Sequence, residues 1–290
     1  MTKKNVVLYE RVFMTVEGSS LLEIKDLARR VRIDVLNMVA KANSGHPGGS
    51  LSETDILAVL YGKVMKHDPS KPNWVDRDRF ILSKAHACPG LYAVLAETGY
   101  FEIQELDTFR QIDSRIQGHA HIKTPGVEMS GGSLGQGLSF GVGVSLAVRL
   151  NGRKSRTYVL LGDGECDEGQ IWEAAMSASH HGVDNLVAIV DRNRIQNDRW
   201  TYEVMSLEPF VDKWKSFGWH VLEIDGHSID ELIDAFETAE KTKGRPSAII
   251  ANTLKGKGVS FMENNADFHG KAPSPDELLK ALKELGSEDM

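Results

Sequence analysis

The sequence predicts an α/β fold, with a mostly parallel sheet flanked by helices on both faces. Two observations predict it. Between residues 157 and 252, short apolar runs alternate with stretches of helical spacing, the pattern of βαβ units. Successive apolar runs also end in polar loops, at Gly162-Asp163-Gly164 and at Asn193, which places both loops on one edge of such a sheet.

The elements follow in order. Residues 1–18 carry no strong pattern, and 1–20 read as an N-terminal arm. Leu22, Leu27, Val31, Val35, Met38 and Val39 recur at helical spacing over 21–42, and Ser44-Gly45-His46-Pro47-Gly48-Gly49 ends that helix. Ser52-Glu53-Thr54-Asp55 opens a second helix through Leu60. A strand at 80–82 and a helix at 87–98 come next. Residues 107–130 are a long loop, and loops of that length inside a compact domain are commonly functional. Ser133–Leu150 reads as a helix despite Gly135, Gly137, Gly141 and Gly143. Each glycine costs a helix about 1 kcal/mol against alanine, so the four imply close approach to another backbone or to a partner. Strands at 157–161, 186–191, 219–224 and 247–252 then alternate with helices at 168–181, 210–217 and 229–241. Ser274-Pro275-Asp276-Glu277 opens a terminal amphipathic helix within 273–286. No internal repeat or linker divides 21–290, which read as one domain.

The bulk composition narrows the function. With 290 residues, 41% hydrophobic and 26% charged, the chain is long enough to bury a large core. A net charge of -7 argues against a general nucleic-acid binder. No window approaches the ~20 apolar residues of a membrane span. The first residues lack the apolar stretch and cleavage site of a secretory signal. The two cysteines, Cys88 and Cys166, imply no disulfide framework, so a reducing cytoplasm is the expected location.

The chemistry resides in the loops. Asp163 offers a carboxylate and Asn193 a neutral amide oxygen, and the Ile195 carbonyl is the most plausible third ligand. Hard oxygen donors of this kind suit Mg²⁺, with Ca²⁺ or Mn²⁺ as alternatives, bound together with a diphosphate. Gly162 and Gly164 let the backbone approach phosphate, and the helix that follows turns its N-terminus into the same crevice. Singly, GDG or a loop Asn is a turn device; jointly, at consecutive strand ends, they point to thiamine diphosphate. Gly131-Gly132-Ser133-Leu134-Gly135-Gln136-Gly137 lacks the GxGxxG spacing and the preceding strand of a dinucleotide fingerprint. His46, His86, His119, His121 and His269 all fall in loops or at helix starts, where imidazole can serve phosphate contact and proton transfer. Zinc lacks its usual spacing here, and His119-Ala120-His121 is a weak metal pair. His180-His181 caps a helix or faces solvent, and Cys166 is incidental.

Together these residues resemble the N-terminal, diphosphate-binding part of transketolase. KANSGHPGGSLS (41–52), LSKAHA (82–87), GHAH (118–121), PGVEMSGGSLGQGLS (125–139), GDGECDEGQIWEA (162–174), DRNRIQ (191–196) and FHGKAP (268–273) occur in that family's order. The resemblance implies the thiamine diphosphate-binding fold, with Asp163, Asn193 and the Ile195 carbonyl as metal ligands. It gives His46, His86 and His269 to the cofactor diphosphate and the reacting carbon, and His119 to the donor's hydroxyl near C1. It makes Gly132, Leu134, Gly162, Gly164 and Glu168 cofactor contacts, and places Glu168 and Glu173 in a polar network between paired active sites. It implies transfer of a two-carbon ketol unit from a ketose phosphate to an aldose phosphate, with pentose phosphate metabolism as the default setting. Ala85 stands where glycine is usual, Ala120-His121 where Pro-Glu is common, and Gly131-Gly132-Ser133 where Thr-Gly-Pro or Thr-Gly-Ser is; these leave the donor sugar open. A full transketolase is more than twice this length, so the chain resembles the N-terminal subunit of a split enzyme. A separate C-terminal subunit would carry the pyrimidine-binding half, in an α₂β₂ heterotetramer. Two alternatives remain from the residues: another thiamine diphosphate enzyme subunit, of 2-oxo acid dehydrogenase or deoxyxylulose phosphate synthase type, and a non-catalytic cofactor-binding remnant.

Overall fold

A computed structural model describes residues 19–197 and 199–287; the arm expected before residue 19 lies outside them. The helices are α1 (Leu21–Ala42), α2 (Pro47–Ser52), α3 (Thr54–Val59), α4 (Cys88–Glu97), α5 (Gln136–Leu150), α6 (Gly169–His180), α7 (Thr201–Val204), α8 (Phe210–Ser216), α9 (Ile229–Lys241) and α10 (Pro275–Glu284). The strands are β1 (Arg79–Leu82), β2 (Thr157–Gly162), β3 (Leu186–Arg192), β4 (Ile195–Gln196), β5 (Arg199–Trp200), β6 (His220–Asp225) and β7 (Ser247–Asn252).

Five strands form one sheet in the order β1-β2-β3-β7-β6, every neighbouring pair parallel. The period-2 alternation of a strand sorts its side chains into two cores. Phe80, Leu82, Tyr158, Leu160, Val187, Ile189 and Ile249 pack with residues of α1, α3, α4 and α9. Their neighbours Ile81, Val159, Leu161, Ala188, Val190 and Ile250 pack on the other face with α5, α6 and α8. Because both faces are covered, the central strands are apolar throughout, as a buried parallel sheet requires. Parallel pairing also brings the carboxyl ends of β1, β2, β3 and β7 to one edge, with Gly162 beside Asp191 and Asp191 beside Ala251.

Local signals explain the helix ends. Ser20 and Glu23 form a capping box on α1, and Ser274 and Glu277 form one on α10. Asn43, left-handed at φ 46°, ends α1. Most bounds fall within one or two residues of the sequence expectation, and three of the differences have a visible local cause. The helix expected from Ser52 through Leu60 appears as α3, two residues later, and runs on into a π-helical turn at Leu60–Val64, while α2 fills the stretch expected to be a turn, with Pro47 in its first turn, where a missing amide costs nothing. The helix expected from Ser133 begins at Gln136, because Gly135 is left-handed at φ 84°. A 3₁₀ turn at Gly164–Asp167 precedes α6, so that helix starts one residue later than expected. Among the described residues, no helix is long and apolar enough to cross a membrane.

Candidate active site

The loops after β2 and β3 are stitched together. Asp163 Oδ1 accepts the Gly164 amide at 2.8 Å, and its Oδ2 accepts the Arg194 amide at 2.6 Å. Arg194 reaches it because its backbone is left-handed, φ 65°, which turns the β3 loop back toward Asp163. Burial, followed by the negative charge of Asp191, pushes the Asp163 carboxyl up to about 6. Asn193 Oδ1 accepts the Ile195 amide at 3.2 Å. The Ile195 carbonyl accepts from Lys255 Nζ at 3.0 Å.

Glu165 joins a third segment to this pair. Its Oε1 accepts from Ser83 Oγ and from the Gly135 amide, and its Oε2 accepts the Gly162 amide. One buried carboxylate thereby fixes the glycine-rich stretch against the GDG loop. The glycines there are required by contact. A Cβ on Gly137 would come within 2.4 Å of Ser83, and one on Gly141 within 2.5 Å of Val159. Gly143 has open space, so nothing among the described residues requires it.

Three histidines converge from loops far apart in sequence. The ring centres of His46 and His86 lie 5.0 Å apart, and each is 5.4 Å from that of His269. Burial, then the positive charge of Arg110, lowers His46 to about 4. Burial, then Lys84, lowers His86 to about 2. Burial and Arg110 also lower His119. These rings are neutral at physiological pH, so each nitrogen pair offers one donor and one acceptor. Lys255 Nζ lies 2.8 Å from His269 Nδ1, and burial lowers its pKa to about 8.

A cavity of about 280 Å³ collects these groups; its walls include His46, His86, His119, Gly132, Leu134, Gly162, Asp163, Gly164, Asn193, Ile195 and His269. Glu168 stands outside it, exposed at the start of α6, and Glu173 is exposed on the same helix. His121 does not join the cavity; its Nδ1 accepts the Lys123 amide. Lys84, Glu165, Gln196 and Lys255 also line it, and sequence reasoning missed them. Their available signal was a polar residue just past an apolar run. A larger groove of about 770 Å³, walled by Lys63, Trp74, Arg153 and Glu237 among others, contains none of the motif residues. The motif chemistry, not size, therefore identifies the site.

The cavity suits a divalent ion and a diphosphate. Its donors are a carboxylate, an amide oxygen and a peptide oxygen, the set a hard cation prefers. Among the described residues, no group of three His, Cys, Asp or Glu forms a self-sufficient metal cluster, so further oxygens would have to come from the bound anion. His46 Nδ1 and Gln196 Oε1 are buried with no hydrogen-bond partner, although both residues line the cavity. The space beside Gly132 is open.

Comparison with known proteins agrees. Residues 24–290 match the family model described as the transketolase, thiamine diphosphate binding domain. The chain is 45% identical to the 6-deoxy-6-sulfo-D-fructose transketolase subunit SqwG of Clostridium sp. (strain MSTE9), over 92% of this chain and 98% of that protein. It is 42% identical to one subunit of the apulose-4-phosphate transketolase of Phocaeicola vulgatus, over 91% of this chain and 93% of that one. Human transketolase is 40% identical over 92% of this chain, which spans only 42% of the human protein. A solved transketolase from Pichia stipitis superposes with a TM-score of 0.88 at 33% identity, over 93% of this chain and 42% of that one. Fold, site and comparisons together show that the chain belongs to the transketolase family, as its N-terminal, thiamine diphosphate-binding part.

Proposed function

We propose that this chain is the diphosphate-side subunit of a two-chain transketolase. It would transfer a two-carbon ketol unit from a ketose phosphate to an aldose phosphate in the cytoplasm. One observation carries the reading: the β2 and β3 loops, joined by the Arg194–Asp163 bond, place Asp163, Asn193 and the Ile195 carbonyl beside the histidine triangle. Asp163, Asn193 and the Ile195 carbonyl would hold Mg²⁺ with the cofactor diphosphate. Thiamine diphosphate supplies the carbon nucleophile when bound; binding, orientation and proton movement fall to the protein. The neutral rings of His46 and His86 can move protons, because neither needs to lose a charge first, and His269 completes the triangle beside them. His119 meets the donor hydroxyl, and Lys255 offsets the diphosphate charge from inside the cavity.

A partner chain is required on this reading. The human and Pichia stipitis transketolases are more than twice this chain's length, whereas the two relatives of similar length are named as subunits. The surface agrees. Along α5, Phe140 is 41% exposed and Leu150 87% exposed, with Gly143 between them, and on α6 Met176 is 58% exposed. Exposed apolar groups flanking an open helix glycine suit close docking of another chain. Glu168 and Glu173 lie on this side as well, where an α₂β₂ assembly would enclose them.

The test is reconstitution with Mg²⁺, thiamine diphosphate and a panel of ketose donors that includes sulfonated and branched sugars. We expect ketol transfer from the two-chain mixture and none from this chain alone. Full activity from the single chain would refute partner dependence, and release of carbon dioxide from pyruvate would favour a different thiamine enzyme.

A further inference from the structure

Asp191 ends the apolar run of β3, is fully buried, and lies outside the ligand set assigned above. Its carboxylate is crowded with donors. Oδ2 accepts from Ser52 Oγ at 2.5 Å, from Lys84 Nζ, and from Asn193 Nδ2 at 3.2 Å, while Oδ1 accepts from Thr253 Oγ1. Asn193 Nδ2 also reaches Ser52 Oγ at 3.2 Å. Both amide protons of Asn193 are therefore committed to the protein interior. Its oxygen turns the other way, to the Ile195 amide and the cavity.

An amide has two ends of similar shape and opposite polarity, and a cation can bind only the oxygen. Rotated by half a turn, Asn193 would press its oxygen against the Asp191 carboxylate and its NH₂ group against the Ile195 amide. Acceptor would then face acceptor and donor face donor, each buried without a partner, an arrangement that costs about 1–3 kcal/mol per group. Lys84 keeps Asp191 in place from the far side, through further contacts to the Gly49 carbonyl at 3.0 Å and to Glu53 at 2.9 Å.

We propose that Asp191, with Ser52, is a positioning residue: it selects which end of the Asn193 amide faces the cavity, and so whether this loop offers an oxygen to a divalent ion. The inference rests on the metal reading given above. Groups that orient ligands from behind typically affect metal affinity 10- to 100-fold.

The test titrates thiamine diphosphate into the full chain by calorimetry, with and without Mg²⁺. If the unaltered chain shows no Mg²⁺ dependence, the metal reading and this inference fall together. Given that dependence, Asp191→Asn should lower the Mg²⁺-dependent affinity about 10- to 100-fold and leave Mg²⁺-free binding unchanged. The exchanged pair D191N/N193D should recover most of that loss, because a carboxylate at 193 presents oxygen whichever way it turns. Lys84 still lacks the Asp191 carboxylate in that double variant and keeps only Glu53, so failure to recover would assign the loss to Lys84 and overturn the proposal. Ser52→Ala alters no charge and leaves the Lys84–Asp191 pair intact, so it should fold and show a smaller loss of the same sign. Unchanged affinity in both single variants would also overturn the proposal.

Discussion

Leu254 donates its amide to His227 Nε2 at 2.8 Å, while the other ring nitrogen of His227 lies 2.7 Å from Asp55 Oδ2. Arg32 holds the same Asp55 through both of its terminal nitrogens and reaches the Lys257 carbonyl with Nε. The segment that carries Lys255 into the cavity is thus tied on both sides to α1 and α3. His227→Ala would leave the part-buried Leu254 amide without its acceptor and leave Asp55 held by Arg32 alone. We expect it to cost about 1–3 kcal/mol in urea unfolding and to weaken cofactor binding through Lys255.

Asp163→Ala should abolish Mg²⁺-dependent binding of thiamine diphosphate. It removes a buried carboxylate whose charge the protein disfavours, so the fold should survive, with a near-unchanged circular dichroism spectrum. Unaltered cofactor affinity in calorimetry would remove Asp163 from the ligand set.

The histidines predict the acid behaviour of the cofactor-free chain. His46 titrates near 4 when folded and near the ordinary 6.5 when unfolded, so the unfolded chain binds more protons between those values. The contribution of this ring to stability should therefore rise with pH across that window and be lost as pH falls through it, against an opposite contribution from Asp163, whose folded carboxyl holds its proton up to about 6. His86 acts in the same direction and extends the loss toward pH 2. His46→Gln should flatten the slope of the urea midpoint between pH 6.5 and 4; an unchanged slope would show that other groups set the acid response.

Two glycines of α5 should respond in opposite ways. Gly141→Ala drives a methyl group into Val159, and should destabilise the chain by about 1–3 kcal/mol. Gly143→Ala meets open space, and should stabilise the isolated chain by about 0.5–1 kcal/mol through helix propensity. On the docking reading, the same Gly143→Ala change weakens association with the companion chain. Sedimentation of the mixed chains measures that loss, and undiminished association would move the docking surface elsewhere.

The sequence made the sheet legible because periodicity survives without tertiary knowledge. Both β7 and α9 run between the residues expected of them. Boundaries moved where a tertiary bond or a special backbone angle decided them, as at Gly135, whose amide is held by Glu165. In the site, residues with a recognisable local frame were found: the GDG loop, the Asn loop and the histidines beside glycine turns. Lys84, Glu165, Asp191 and Lys255 were not, because their roles exist only through partners distant in the chain. Lys84, for example, is defined by Glu53 and Asp191, 31 and 107 residues away from it. Cys166, read as incidental, is buried, with Sγ 3.3 Å from the Gly162 carbonyl.

The Glu165 carboxylate has a consequence for assembly. It grips the Gly135 amide at the head of α5 and the Gly162 amide at the entrance to the GDG loop. A companion seated along α5 and a vitamin seated in the cavity would therefore bear on a single shared anchor. Thermodynamic reciprocity then requires that the factor by which the vitamin tightens the pairing of the two chains equals the factor by which pairing tightens the vitamin. If pairing tightens the vitamin, chains without it drift apart on dilution sooner than loaded ones, and by the same factor.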